Sequence, residues 1–201
     1  MAKRLGGEVR REQIVEAALS LASGGLKEVT VQKVARLVGV VPSALYRHFA
    51  NKDAIVMALL EQLERYLTAI CDQAEAEERD PLAALQRVML LHARLATERR
   101  GIPRVLFSDD VATDPSGKGG RILAIQRALA ARLAAMARRG QDMGRIRIDL
   151  SAEDVAFMAF GLMVPTAVLY FLSGWRSDIF ARVEANQRLL EICVGIGNEG
   201  A

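Results

Sequence analysis

The segment from Thr30 to Ile55 reads TVQKVARLVGVVPSALYRHFANKDAI and predicts two short helices joined by a tight turn. Thr30 precedes a helical apolar period, and its hydroxyl can cap a helix N-terminus. Gly39 ends that period and permits the positive φ angle that a tight turn needs. Pro42 suits the first turn of a second helix, predicted over Pro42 to Phe49. This order is typical of a helix-turn-helix, although an ordinary helical hairpin has the same spacing.

Helical segments flank this unit on both sides. Gln13 to Ala22 has a helical apolar period that Gly24 and Gly25 interrupt, which predicts a first helix before the helix-turn-helix. On the other side, Asn51 can cap a long fourth helix in which leucine and isoleucine recur every three or four residues from Ile55. The sequence therefore predicts a three-helix module followed by a long helix.

The stretch as a whole closely resembles the DNA-binding signature of the tetracycline-repressor (TetR) family of bacterial regulators. In that family a first helix, an aromatic-rich recognition helix and a lysine at the start of helix four form one DNA-binding unit. The residues that match this pattern are Ala35, Gly39, Leu45, Tyr46, Phe49, Lys52 and Asp53. The resemblance is specific in the three-helix module, whereas the rest of the chain matches only in the number and order of its helices.

The resemblance implies a role for each exposed position of the helix-turn-helix. Residues at its edges are expected to contact backbone phosphates: Thr30, Tyr46, His48 and Lys52. Residues of its second helix are expected to face base edges in the major groove: Pro42, Ser43, Ala44 and Arg47. Arg47 has the chemistry to read a guanine because a guanidinium can bridge O6 and N7. A clamp on a phosphate is the alternative role for Arg47.

Val41 departs from the family pattern, which commonly has serine or threonine just before the recognition helix. Valine has no oxygen with which to cap a helix, so we expect either a less firmly started helix or compensation by Ser43. A phosphate contact that is common in the family is then also missing. Near the start of the chain, Arg10 and Arg11 are placed to reach adjacent DNA backbone, or else are mobile solvated side chains.

Positive charge is concentrated in the same part of the chain. Up to and including Lys52, nine basic residues stand against four acidic ones, whereas the remainder has eighteen basic and twenty acidic residues. A basic N-terminal quarter on a nearly neutral body favours a polyanionic partner, although basic N-termini are common for other reasons. Double-stranded DNA is the expected partner.

The remaining sequence predicts further helices and no strand alternation long enough to build a sheet. Apolar positions recur with helical spacing, and breaks at Asp80-Pro81, Gly101, Gly140 and Ser173-Gly174 separate them into segments. The predicted fold class is all-α with about nine helices. An N-terminal helix-turn-helix module of three helices is joined to a C-terminal helical domain for ligand binding and dimerisation.

One predicted helix is apolar on all sides. It follows an S-x-x-D capping box that begins at Ser151, and its run from Val155 to Leu172 has about the minimum length of a membrane-spanning helix. Gly161 and Pro165 interrupt this run, and acidic residues abut one end. A buried subunit interface is therefore the favoured interpretation, with a membrane anchor as the alternative.

Cysteine usage and the first residues favour a cytoplasmic protein. Cys71 and Cys193 lie far apart in helical contexts, so we expect reduced thiols rather than a disulfide framework. Gly6 and Gly7, followed by charged residues, occupy the place where an export signal needs an apolar run. No metal or cofactor is predicted. No nucleophile motif, paired-histidine site or nucleotide fingerprint supports an enzyme.

The C-terminal domain contains soft apolar and polar side chains that suit a ligand cavity. The residues predicted to contact an effector are Tyr66, Met89, His92, Phe107, Gln126 and Phe157. Methionine and aromatic residues at helical spacing are more often plain core, and a histidine such as His92 is more often a satisfied residue at the core boundary. The effector is predicted to be a small, largely apolar molecule.

The predicted architecture has two domains, a DNA-binding domain over residues 1–52 and a ligand-binding and dimerisation domain over residues 53–201. The resemblance implies a homodimer formed through the last two long helices, about Ser151 to Leu172 and Ile179 to Ile196. It also implies a cytoplasmic regulator, usually a repressor, that binds a palindromic operator and that a ligand releases. The alternatives are a protein of the same fold for chromosome organisation or division control, and a membrane-anchored interaction protein.

Overall fold

The computed structural model consists of α-helices, which confirms the predicted all-α fold class. It describes residues 7–106, 108, 114 and 117–196. Within these ranges a short 3₁₀ turn occurs at Leu26–Glu28, and strand pairing is limited to one isolated bridge between Ile146 and Gly195. The described helices are α1 (Gly7–Ala22), α2 (Val31–Val38), α3 (Pro42–Leu45), α4 (Lys52–Glu77), α5 (Pro81–Glu98), α6 (Gly101–Leu106), α7 (Lys118–Asp142), α8 (Ala152–Leu172) and α9 (Ile179–Val194).

Two compact units divide the chain. The first comprises Met1–Arg65 and Arg99–Leu123, and the second comprises Tyr66–Glu98 and Ala124–Ala201. Because α4 and α7 each contribute residues to both units, two of the three boundaries fall inside helices, and the third falls between α5 and α6. The first unit therefore includes residues beyond the 1–52 range that the sequence predicts for the DNA-binding domain.

Local sequence signals set the helix ends in the three-helix module (α1–α3) and at the start of α4. Thr30 is the N-cap of α2, and its side-chain oxygen accepts a hydrogen bond from the backbone N–H of Lys33 at 3.2 Å. Gly39 closes α2 with a φ of 73°, a backbone conformation that residues with a Cβ rarely adopt. Asn51 caps α4, since its Oδ1 accepts from the N–H of Ala54 at 2.9 Å. The predicted caps of α2 and α4 and the predicted stop at Gly39 are thus confirmed.

α3 is shorter than the sequence predicts. It ends at Leu45, whereas the predicted helix continues to Phe49. Beyond Leu45 the backbone tightens, because the N–H of His48 bonds the Leu45 carbonyl only three residues back, at 2.8 Å. Phe49 still reaches the core from the end of this turn and is 3% exposed.

A close contact joins α1 to α6 within the first unit. Gly101 begins α6, and a Cβ built on it would lie 2.2 Å from the carbonyl oxygen of Leu19. Because no side chain fits at that distance, only glycine permits this approach. An ion pair between Arg99 and Glu16 at 2.6 Å accompanies it. The first unit thus packs a segment distant in sequence against the first helix.

In the second unit α5, α8 and α9 pack against one another, and a buried polar cluster joins α8 to α9. Asn186 of α9 is 8% exposed and donates from Nδ2 to the Leu162 carbonyl at 3.0 Å and to the Thr166 Oγ1 at 2.9 Å. The Thr166 hydroxyl donates in turn to the Leu162 carbonyl at 2.7 Å. Since buried polar groups are costly without partners, this cluster specifies the register of α8 against α9.

Candidate DNA-binding site

The segment formed by α2, the Gly39 turn and α3 has the geometry of a helix-turn-helix. Val34 and Ala35 of α2 and Leu45 of α3 are each at most 1% exposed, so the two helices share a dry contact. The backbone N–H of Val40 bonds the Ala35 carbonyl at 2.9 Å and closes the turn. These contacts hold α3 against α2 and leave its outer side exposed.

The outer side of α3 and the turn after it contain the residues predicted to read bases. The exposed residues there are Pro42, Ser43, Tyr46 and Arg47, whereas Ala44 and His48 are half-buried. Within the described part of the chain, the Arg47 guanidinium makes no ion pair and no side-chain hydrogen bond. The structure therefore presents Arg47 to solvent with all its donors available to a ligand.

The residues predicted to contact phosphates lie at two helix N-termini and in the turn after α3. Thr30 uses a lone pair of its hydroxyl oxygen to cap α2, so the hydroxyl proton remains free to donate to an anion. The free N–H groups of the α2 N-terminus lie beside it and favour negative charge. Lys52 is the first residue of α4 and is half-buried. The phenol of Tyr46, 56% exposed, follows α3 directly.

Arg10 and Arg11 are part of α1 and not of a mobile arm, because α1 begins at Gly7. The Arg11 guanidinium lies over the Phe49 ring with its carbon 4.4 Å from the ring centroid. It also donates to the His48 carbonyl at 3.3 Å and lies 3.7 Å from the carboxylate of Glu61. Arg11 thus links α1, the turn after α3, and α4. A role in DNA contact stays a prediction for both arginines, and Arg11 is the more strongly engaged within the protein.

The N-terminus of α3 has no side-chain cap, as the presence of Val41 predicts. Val41 occupies the N-cap position in an extended conformation, and its side chain makes no capping hydrogen bond. In the described residues the Ser43 hydroxyl makes no hydrogen bond either, so it does not compensate. The structure therefore agrees with the expectation of a less firmly started helix and not with compensation by Ser43.

Two exposed residues beside this face are not among the sequence-predicted site residues. Arg36 and Leu37 occupy the last turn of α2, and Leu37 is 56% exposed. The helical spacing of apolar residues in α2 indicates that these two residues are exposed. Val34 and Ala35 are core positions, so the next two residues lie on the outer side of the helix. Both therefore belong to the surface around the helix-turn-helix.

The residues predicted to bind an effector do not share one environment. Met89 is 2% exposed, Tyr66, His92 and Gln126 are half-buried, and Phe157 is 75% exposed. Phe157 therefore does not line an enclosed cavity in this structure, because its ring points to the outer surface of α8. The remaining predicted residue, Phe107, lies outside the described residues. Burial lowers the pKa of His92 to about 4, so this imidazole is neutral at pH 7.

A small apolar pocket lies within the first unit. The residues that line it are Leu19, Leu59, Leu60, Leu63, Ile102, Val105 and Leu106. Its free volume of about 10 Å³ holds no more than one water-sized molecule. Among the described residues no group of three or more His, Cys, Asp or Glu side chains is placed to hold a metal ion.

Comparison with known proteins agrees with the helix-turn-helix geometry and identifies the family. Residues 14–59 match the family model of "Bacterial regulatory proteins, tetR family". The probable HTH-type transcriptional regulator ArpR of Pseudomonas putida is 31% identical over 160 residues, which cover 75% of this chain and 75% of ArpR. The chain belongs to the tetR family of bacterial regulatory proteins.

Two further likenesses differ in how much of each chain they cover. The nucleoid occlusion factor SlmA of Haemophilus ducreyi is 29% identical over 99 residues, 48% of this chain and 49% of SlmA. The match thus spans about half the length of that relative. The structure of the transcriptional regulator FadR from Bacillus subtilis in complex with stearoyl-CoA has a TM-score of 0.74 at 20% identity and covers 89% of this chain and 96% of FadR. At this identity the likeness to FadR shows the fold alone.

The contacts of Arg11 give a first testable prediction. Arg11→Ala removes the guanidinium from Phe49 and from the His48 carbonyl, so we expect it to lower the free energy of unfolding by about 1 kcal/mol. Arg10→Ala is the matched control, because it removes the same charge from the same helix without these contacts. Chemical denaturation of both variants measures the difference. If Arg11→Ala leaves stability unchanged and instead reduces the salt dependence of DNA binding by about one charge, Arg11 is a phosphate contact.

Proposed function

We propose that the chain is a cytoplasmic, dimeric transcriptional repressor that binds a near-palindromic DNA operator and that a small molecule releases from it. The observation that carries DNA binding is the exposed outer side of α3, where Arg47 has no protein partner within the described residues. A helix-turn-helix places such a face in the major groove, and a dimer places two of them about 34 Å apart or at a modestly altered spacing.

Charge supports DNA as the partner of this face. The basic excess is confined to the residues up to Lys52, and an excess of positive charge on one end favours a polyanion. Thr30, with its free hydroxyl proton, and the α2 N-terminus supply uncharged donors for phosphate. The exposed Arg47 supplies a donor pair that matches guanine O6 and N7.

DNA binding is tested with Tyr46→Ala combined with Lys52→Ala. We expect the double variant to lose most of its affinity for every duplex that the wild type binds, because both side chains are proposed to contact the phosphate backbone. If about six to ten phosphates are neutralised, wild-type log K falls with log salt at a slope of about −5 to −9. Arg127→Ala, which removes an exposed charge from α7, is the control. Equal binding by the wild type and the double variant contradicts the proposed DNA-binding face.

Dimerisation through α8 and α9 is supported by an apolar surface that these helices leave exposed. The exposed residues are Phe157, Leu169 and Leu172 of α8, Phe180, Leu189 and Ile192 of α9, and Ile196 just after it. On α8, Phe157 and Leu169 are separated by about three helical turns and lie on one face together with exposed Gly161 and Pro165. Such a surface on two neighbouring helices is typical of a subunit interface.

The alternative function, a membrane-anchored interaction protein, also depends on α8. α8 has 21 residues and is long and apolar enough to cross a membrane by length and composition alone. A core or interface helix of a water-soluble protein meets the same criterion. Inside the second unit α8 packs against α5 and α9, and the exposed apolar surface continues onto α9, which is amphipathic. This arrangement favours a protein partner over lipid.

A charge placed on this surface tests the interface. We expect Leu169→Glu to convert the dimer into a monomer, because a carboxylate buried in a dry interface without a partner is strongly unfavourable. Leu123→Glu is the matched control, since Leu123 is a similarly exposed leucine on α7. Sedimentation at micromolar concentration in detergent-free buffer measures both. A stable dimer of Leu169→Glu contradicts the interface, and a wild type that needs detergent for solubility favours the membrane anchor.

Release by a ligand is supported by the composition of the second unit and by the course of α4. His92 lies one helical turn after the buried Met89 on α5, and its neutral imidazole suits an uncharged, largely apolar molecule. FadR, which has the same fold, is described in complex with stearoyl-CoA. In our proposal α4 transmits the signal, because it begins at Lys52 in the first unit and ends in the second.

Thermodynamic linkage tests this proposal. If a ligand lowers operator affinity, operator DNA must weaken ligand binding by the same factor. We therefore expect calorimetry with compounds from the pathway encoded beside the gene to give a lower ligand affinity for the operator-bound protein. His92→Leu should change ligand affinity and leave ligand-free DNA binding intact. Equal affinities with and without operator identify a ligand that is not the inducer, and the absence of any binding compound favours a constitutive regulator.

Chromosome organisation is the second candidate function, and the likeness to SlmA over about half of each chain favours it. The two functions differ in how their sites are distributed. A repressor is expected to occupy one or a few promoters, whereas an organiser is expected to occupy many sites spread over the chromosome. Sequencing of the genomic fragments bound by the purified protein separates them. Because the likeness to ArpR covers three quarters of both chains, we favour the repressor.

A further inference from the structure

Val41 combines two features that are unfavourable for the isolated protein. It is a β-branched apolar residue with 65% of its surface exposed. It also occupies the N-cap position of α3, where serine, threonine, aspartate or asparagine would accept a hydrogen bond from the first turn. Because neither folding nor solubility explains valine here, its side chain is a candidate for contact with a partner.

The surroundings of Val41 fit one kind of partner. Arg36 precedes it and Arg47 follows it, and both are exposed arginines on the surface of the helix-turn-helix. The exposed Pro42 directly follows Val41 in the chain and adds apolar surface at the start of α3. A short apolar surface in a helix-turn-helix that also exposes arginines suits the major groove, in which the C5-methyl group of thymine is the apolar feature of the base edges.

We propose that Val41 is a specificity-determining residue that packs its two methyl groups against the C5-methyl of a thymine in each operator half-site. This inference rests on the proposed DNA binding and specifies one base that the site selects. Val41 immediately precedes α3, and the residues at the start of a recognition helix are those that reach base edges. A hydroxyl at this position would cap the helix and contact a phosphate, neither of which distinguishes one base from another.

The experiment replaces thymine by deoxyuridine, which pairs in the same way and lacks only the C5-methyl group. Duplexes bound by the full-length protein are first selected from a random-sequence pool. The best duplex is then synthesised with each thymine replaced in turn, symmetrically in both half-sites. We expect one position at which deoxyuridine weakens wild-type binding about threefold to fivefold per half-site, which corresponds to one buried methyl group.

The variants assign this methyl group to Val41. In Val41→Ser and Val41→Ala the ratio of thymine to deoxyuridine affinity at that position is expected to fall to about one. Val41→Thr keeps one of the two methyl groups and is expected to retain part of the ratio. Leu37→Ala is the control, because it removes exposed apolar surface from α2 and is expected to leave the ratio unchanged.

A second measurement separates base contact from a structural role. Val41→Ser supplies the missing cap, so we expect it to raise the melting temperature while it lowers affinity for the thymine duplex. A residue that acts only through the fold would move stability and affinity in the same direction. Correlated changes in Val41→Ser therefore contradict the inference.

The remaining outcomes distinguish this inference from the proposed function. If no duplex is enriched, the protein does not bind DNA specifically and both proposals fail. If a duplex is enriched but no thymine is sensitive to deoxyuridine, DNA binding stands and the role of Val41 is wrong. The role of Val41 is also wrong if the sensitivity persists in Val41→Ser or disappears in Leu37→Ala.

Discussion

The contact between α2 and α3 is the constraint on which the DNA-binding surface depends. Gly39 reverses the chain in a left-handed conformation and brings Leu45 onto Val34 and Ala35, all of them almost completely buried. Any residue with a Cβ at position 39 would be strained, and a larger residue at position 35 would separate the helices. Since α3 has only four residues, it has little helical stability of its own and depends on this contact for its orientation.

The same constraint explains why α3 can expose unfavourable residues. A helix held by its buried side does not need a good N-cap, so Val41 is tolerated at a cost that the packing of Leu45 and Phe49 offsets. Arg11 also stabilises the position of α3, because its guanidinium contacts the turn after α3 and joins it to α1 and α4. Folding therefore places few requirements on the residues of the exposed side of α3.

Features that depend on interactions between residues close in sequence could be predicted, whereas features that depend on residues far apart in sequence could not. The caps at Thr30, Asn51 and Ser151 are made within three residues of chain, and all three are confirmed. The end of α3 is not local, because the turn after Leu45 depends on Phe49 packing into the core, and the predicted helix was too long. The contacts of Arg11 join residues 37 to 50 positions apart, so no local pattern indicates them. Phe157 was predicted to line an effector cavity but is exposed, because the composition of an apolar helix does not show which of its side chains face inward.

The two sides of the apolar helix α8 have different roles in packing. The side that packs against α9 contains the polar cluster of Asn186 and Thr166, whereas the outer side presents Phe157 and Leu169. The buried side of α8 is otherwise largely apolar, so α8 is apolar on both sides and differs from an ordinary surface helix, in which polar residues face water. Inside the protomer the polar cluster selects one register, because every other register would leave a buried amide without partners. Outside, a partner surface would remove the exposed apolar side chains of α8 from water, so their exposure favours assembly over an isolated chain.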